Sequence, residues 1–373
     1  MSKLKQTLIK TLVTHYAHKS EQKMFTQKVL QSMSVRTLNN FNKDELGDLL
    51  NHAFRFFNQH VSKAEAQFHL FNSQKHQGSK KQVTALEIAS PDANQLLLTI
   101  ECLIDSLNLR MTRKLHPVFD ISNTGALLQN KSTSSKPYTY IYIAFSSTLD
   151  THIIKTLKEK LSFHLKAITC VEKDRLPILE ALDSDIKQLS KNSSKNAAFQ
   201  EWRALLTWLR AANFSFFGFK NNKHALGICS KNYATIDPKL KPILQKTYAQ
   251  KSAISFTQIT YKSPVYRFEG LMCLKFYDPT SQTDLYCFGL LRRSSLNTNN
   301  LETPIIREKI DYIFKALDVK VHSYNYSEIV RIFVQTPKFE LFRSSKEALL
   351  EIVENILSVT NPNHIQCFFN ICR

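Results

Sequence analysis

The apolar positions of this chain change period several times, and each change marks a new kind of element. Up to about residue 70 the spacing is helical. In "FNKDELGDLLNHAFRFF", Leu46, Leu49, Leu50, Ala53, Phe54 and Phe57 fall on one stripe, and Asn42 with Glu45 three residues on has the form of a capping box. Polar residues 71–82, "FNSQKHQGSKKQ", read as a linker. A tighter rhythm follows: a strand at "VTALEIA" (83–89), a helix at "NQLLLTIECLIDSL" (94–107), and strands at "LRMTRKLHPVFDI" (109–121) and "YTYIYIAF" (138–145). A helix from Asp150 to about Leu165 and a strand at "AITCVEK" (167–173) complete the series. The order β-α-β-β-α-β is the split, ferredoxin-like motif, an antiparallel sheet with two helices on one face.

Beyond it, "DRLPILEALDSDIKQLS" (174–190) predicts a helix, and the polar run at 191–196 separates it from "EWRALLTWLRAANFSFFGFK" (201–220). That segment changes from helical spacing to an aromatic strand halfway along. Its helix is expected to bury Trp202, Leu205, Trp208 and Leu209 against the sheet it leads into. Further strands are expected at 224–230, 253–259, 270–278 and 283–291, the last two joined by a turn after Asp278-Pro279. A helix over 303–317 has Thr303 as cap and Pro304 at its first position, and two more helices cover 325–336 and 345–359. "HIQCFFNICR" (364–373) begins as a strand. The expected class is α+β in four parts: a helical segment 1–75, the split motif 83–175, a second α+β domain with an antiparallel sheet 197–320, and a helical end with an incomplete further domain 321–373.

Composition narrows the chemistry. Of 373 residues 43% are hydrophobic, yet no apolar run reaches the roughly 20 residues that span a bilayer, and no secretory signal is visible at the start. Seven scattered cysteines without paired spacing suit a reducing, cytoplasmic setting better than a disulfide framework or a zinc site. His52, His60, His69 and His76 also lack short paired spacing, so no metal is expected. Seven glycines, none close enough to form a phosphate loop, exclude a standard dinucleotide or P-loop fingerprint. The net charge of +19 raises nucleic acid as a partner, but its basic clusters are short and its aromatics sit in apolar contexts, which disfavours a stacking groove. No Gly-x-Ser-x-Gly turn, activated cysteine or paired carboxylates mark a catalytic centre. Arg267 and Arg307 stand near strand and helix starts, where either could grip a carboxylate; a structural ion pair is the plainer role.

The ordered set "FQEWRALLTWLRAANFSFFGFK", "YKSPVYRFEGLMCLKFYD", "DLYCFGLLRRSSLNT", "TPIIREKIDYIFKAL", "SYNYSEIVRIFVQTPKFELF" and "IQCFFNICR" resembles the N-terminal region of the large bacterial NAD-specific glutamate dehydrogenases. "HPVFDI" (116–121) and "YIYIAF" (140–145) fit that family's first ACT-like domain. The resemblance runs from about residue 40 to the end. It implies a regulatory and oligomerising region, partnered by copies of itself or by the catalytic part, with an amino-acid effector near the strand-to-helix loop at Asp92. It also implies that NAD and the catalytic residues belong to a domain absent from this chain, which would then hold no cofactor and be inactive alone. Two departures stand out. Asn94 and Leu98 replace a proline and an aspartate usual beside Asp92, and "PKFELF" (337–342) replaces a Pro-Arg-Asp-Glu-Leu-Phe-like segment, as in a degenerate or truncated copy. The alternative reading is a free-standing basic protein that binds nucleic acid.

Overall fold

The computed structural model describes residues 3–17, 19–39, 41, 43–73, 82–129, 134–192, 197–249, 254–261, 271–278 and 283–358. The cap at Asn42, most of the 71–82 linker, the 279–282 turn, Arg267 and the strand expected at 364–373 lie outside them. The chain divides into two units, residues 1–170 and residues 171–261 with 268–373.

Helices α1 (Lys3–Tyr16), α2 (Ser20–Ser32), α3 (Val35–Asn39) and α4 (Lys43–His60) open the first unit. Strands β1 (Gln67–Asn72) and β2 (Thr84–Pro91), helix α5 (Leu96–Ser106), strands β3 (Met111–Leu115), β4 (Val118–Ile121) and β5 (Lys136–Phe145), and helix α6 (Thr151–Lys173) follow. The sheet is antiparallel in the order β1-β2-β5-β3, with β4 also on β5.

Three expectations change here. The segment 167–173 continues α6 rather than forming a strand, because Leu161, Leu165, Ile168 and Val171 keep helical spacing and are all buried. The strand expected over 109–121 is two strands, broken at His116-Pro117, where proline supplies no N–H to the ladder. The edge beside β2, which a final strand would hold in the split motif, is taken by β1 from ahead of it in the chain. Only Leu70 of β1 is buried, so that strand carries little apolar signal of its own.

Alternation along β2 and β5 separates the two faces of this sheet. Ala85, Ala89, Tyr138, Tyr140, Tyr142 and Ala144 share one core with Phe25, Val29 and Leu30 of α2 and Leu46, Leu50 and Phe57 of α4. The Phe25 ring lies parallel to Phe119 at 5.1 Å and meets the edge of Tyr140 at 5.7 Å. Small alanines on β2 leave room for the helices, and large rings on β5 fill it. On the other face Leu86, Ile88, Ile141 and Ile143 are fully buried. The N-terminal helices and the sheet therefore bury a common core, and a separate helical segment 1–75 is not what forms.

The second unit contains α7 (Arg175–Asn192), α8 (Ala197–Trp208), β6 (Phe214–Lys220), β7 (Ala225–Gly227), α9 (Lys231–Ile236), α10 (Leu240–Tyr248), β8 (Ile254–Ile259), β9 (Leu271–Asp278) and β10 (Thr283–Leu291). Helices α11 (Arg293–Leu296), α12 (Ile306–Ala316), α13 (Tyr324–Gln335), α14 (Lys338–Arg343) and α15 (Lys346–Ser358) complete it. Its sheet, in the order β7-β6-β10-β9-β8, is antiparallel throughout. Trp202 is fully buried with its ring stacked on Phe276 at 4.8 Å, and Phe256 stacks on Phe342 at 5.0 Å. Ile313, Phe333, Phe342 and Val353 of the C-terminal helices belong to the same core, so no boundary falls near residue 320. Trp208, expected inside, is only partly buried.

Thr303 is not a helix cap. Its hydroxyl lies inside, bonded to Asn299 O at 2.9 Å and accepting from Lys338 Nζ at 2.7 Å, and α12 starts two residues after Pro304. The joint between α8 and β6 is a single π-helical turn, Leu209–Asn213, in which Ala212 takes the left-handed conformation (φ 65°, ψ 20°). Gly289 sits at a bulge where β10 skips Phe217 of β6, and a Cβ there would lie 2.0 Å from Ser215 O.

Candidate functional site

The residues singled out from the sequence fall in different places. Asp92 follows β2 directly; its N–H donates to Pro137 O at 3.0 Å, which fixes the loop leading into α5. Helix α5 begins without a side-chain cap. His116, at the break between β3 and β4, is an electrostatic neighbour of Asp92. Burial pushes its imidazole pKa down, and the Asp92 carboxylate opposes that. His116 Nε2 is buried with no hydrogen-bond partner among the described residues.

Arg307 on α12 does make the two-pronged grip its type allows, on a carboxylate of this chain. Its Nε and Nη2 donate to Glu201 Oε1 and Oε2 at 2.9 and 2.7 Å. Glu201 on α8 also accepts the Ile305 N–H at 2.7 Å, and this charged partner raises the guanidinium pKa further. Arg307 therefore ties α8 to the start of α12. Arg267 lies outside the described residues.

Lys338, in the segment the resemblance marked as a departure, is firmly held. Its Nζ donates to Asn300 Oδ1 at 2.6 Å, Thr303 Oγ1 at 2.7 Å and Thr298 O at 3.2 Å, and burial lowers its pKa to about 8. Lys309 Nζ donates to the carbonyls of Leu341, Phe342 and Ser344 at the end of α14, again with its pKa lowered to about 8 by burial. Both ammonium groups close helix and turn ends inside the second unit.

Spacing along the chain gave no hint of a further cluster. Glu87, at the centre of β2, is fully buried. The β1–β2 register sets His69 opposite it, and α4 crosses the same face with His52. His52 Nε2 lies 2.9 Å and His69 Nδ1 3.2 Å from Glu87 Oε1, while Tyr140 donates its hydroxyl to Oε2 at 3.2 Å. Phe71 packs on both imidazoles, with ring centres 4.3 Å from His52 and 5.2 Å from His69. A carboxylate out of water needs such partners; the only sequence signal was an acidic residue inside an otherwise apolar strand.

Comparison with known families adds identity to this geometry. The family model described as "Glutamate dehydrogenase, ACT1 domain" matches residues 25–161, and "Glutamate dehydrogenase, helical motif 1" matches residues 303–361. The chain carries an N-terminal region of the glutamate dehydrogenase family. The ACT1 match begins in α2 and ends in α6, so this glutamate dehydrogenase domain includes the helices that share a core with the first sheet. The helical motif takes in α12 to α15, and Arg307, Lys309 and Lys338 belong to it. No curated protein matches the chain. Among solved structures, the meganuclease I-SmaMI bound to uncleaveable DNA aligns at 12% identity over 86% of this chain and 97% of that one, with a TM-score of 0.13, too low to bear on fold or function.

Proposed function

We propose that this chain is a regulatory and oligomerising region of an NAD-specific glutamate dehydrogenase, with the conversion of glutamate to 2-oxoglutarate carried by a catalytic domain outside these residues. The observation that carries the reading is the ACT1 match over residues 25–161, within which Asp92 on the β2–α5 loop and His116 are electrostatic neighbours. An α-amino acid presents an ammonium and a carboxylate close together. Asp92 suits the first, and the partnerless Nε2 of His116 suits the second. The glycine distribution supports placing NAD elsewhere. Cys229, Cys273 and Cys287 are free thiols, which supports a reducing, cytoplasmic setting.

Calorimetry with a panel of amino acids tests the effector. One or more bind, and Asp92→Ala or His116→Ala weakens binding about tenfold or more, as expected for a lost charge-assisted hydrogen bond. Silence across the panel removes the sensing role. Sedimentation tests oligomerisation separately, and a chain that stays monomeric at all concentrations removes that role. The chain mixed with glutamate and NAD yields no reduced coenzyme.

A further inference from the structure

We propose that His52, His69 and Glu87 form a binding site for one zinc-type divalent transition-metal ion. The three donor atoms, two imidazole nitrogens and one carboxylate oxygen, lie within 4.8 Å of one another. Zinc binds such donors at about 2.0–2.2 Å in a tetrahedron, which separates neighbouring donors by about 3.3–3.5 Å. The two nitrogens already stand 2.9 and 3.2 Å from Glu87 Oε1, so small ring movements admit an ion on the side facing both.

The surroundings resemble those of a working metal centre. Glu87 is held from behind by the Tyr140 hydroxyl on Oε2, the outer hydrogen bond that orients a ligating carboxylate. Phe71 packs on both imidazoles and limits their rotation. The carboxylate is wholly buried while the side chains of His52 and His69 are 42% and 50% exposed, so the site opens outward through the imidazoles. Three protein ligands leave a fourth position for water or for a carboxylate-bearing molecule. On binding, each neutral imidazole carries its proton on the nitrogen turned away from the ion. Two neutral imidazoles and one carboxylate carry one negative charge, which the ion reverses. The ion then fastens α4 to the β1–β2 edge.

The competing arrangement is the metal-free one, in which the same groups only hydrogen-bond to one another. Titrating the full chain with Co²⁺ and then Zn²⁺ separates the two. The expected result is one equivalent of Co²⁺ with the visible bands of a tetrahedral site and no thiolate charge-transfer band, displaced stoichiometrically by Zn²⁺. His52→Ala and His69→Ala each lower the affinity about tenfold or more, and the double variant loses the bands. Far-UV circular dichroism checks folding, and His52→Gln and His69→Gln replace any alanine variant that fails to fold. No uptake at micromolar metal overturns the proposal, as does a thiolate band or a double variant that binds like the original.

Discussion

The two sheets of this chain share a plan, five antiparallel strands with helices packed against them, but fill their cores differently. The second stacks rings in pairs, Trp202 on Phe276 and Phe256 on Phe342, and its buried Lys275 on β9 meets Asp284 on β10 at 3.3 Å. The first places a carboxylate, Glu87, in the middle of its most buried strand and surrounds it with a tyrosine and two histidines. Desolvating a carboxylate costs several kcal/mol unless its partners are well placed, about as much as two good apolar contacts contribute. The contrast is between an ion pair across neighbouring strands in the second sheet and three side chains gathered on one buried carboxylate in the first.

The largest effect is expected at the stacked rings of the second unit. Trp202→Ala removes the largest fully buried side chain and should lower stability by about 3–5 kcal/mol in urea unfolding. Both tryptophans of the chain, Trp202 and Trp208, sit on α8, so their fluorescence reports the second unit. Trp208 then remains as the probe in the variant. A loss under about 1 kcal/mol would mean that the stack is not what holds this core.

A smaller effect tests the other side. Glu87→Gln keeps the shape of the side chain but gives up its charge, so the imidazoles and the Tyr140 hydroxyl lose a strong acceptor. A loss of about 1–2 kcal/mol is expected, carried by circular dichroism and tyrosine signals, with the tryptophan transition moving less. If the variant is instead as stable as the original, Glu87 is not held for the integrity of the sheet. A ligand role then gains weight.

Much of the fold was legible in the sequence. Helical stripes such as Leu46, Leu50 and Phe57, and strands such as 138–145 and 283–291, carry strong periodic signals. What escaped was decided by tertiary context. The segment 167–173 is apolar enough for a strand and becomes helix because its buried positions continue those of α6. β1 has one buried residue and exists because it pairs with β2. Thr303 looks like a cap, yet its hydroxyl is taken by Lys338, 35 residues away in sequence. For the candidate site, Arg307 was marked by its residue type as able to grip a carboxylate, and it holds Glu201, whereas Asp92 was marked only by the family resemblance. The cluster at Glu87 could not, since His52 and Glu87 are 35 residues apart and meet only through the crossing of α4 over β2. Lys338, read from the resemblance as a loosened position, is closely bonded inside the second unit.

The smallest expected effect lies at the joint between α8 and β6. Ala212 holds a left-handed backbone, φ 65°, at an exposed position within the π-helical turn. An alanine pays about 1–2 kcal/mol for that conformation, whereas glycine adopts it freely but gives up about 0.5–1 kcal/mol in chain entropy. Ala212→Gly should therefore raise the stability of the second unit by about 0.5–1 kcal/mol, read as a higher urea midpoint in tryptophan fluorescence with an unchanged slope. The turn is anchored independently of that side chain: Asn213 Nδ2 donates to Trp208 O at 2.8 Å, and the Arg292 N–H donates to Asn213 O at 2.9 Å. A stabilised variant means that the switch from helix to strand is set by those bonds and by the burial of Leu209 and Phe214 on either side. A destabilised one means that the alanine methyl itself helps hold the turn, and the second unit would then depend on local backbone preference as well as on its stacked core.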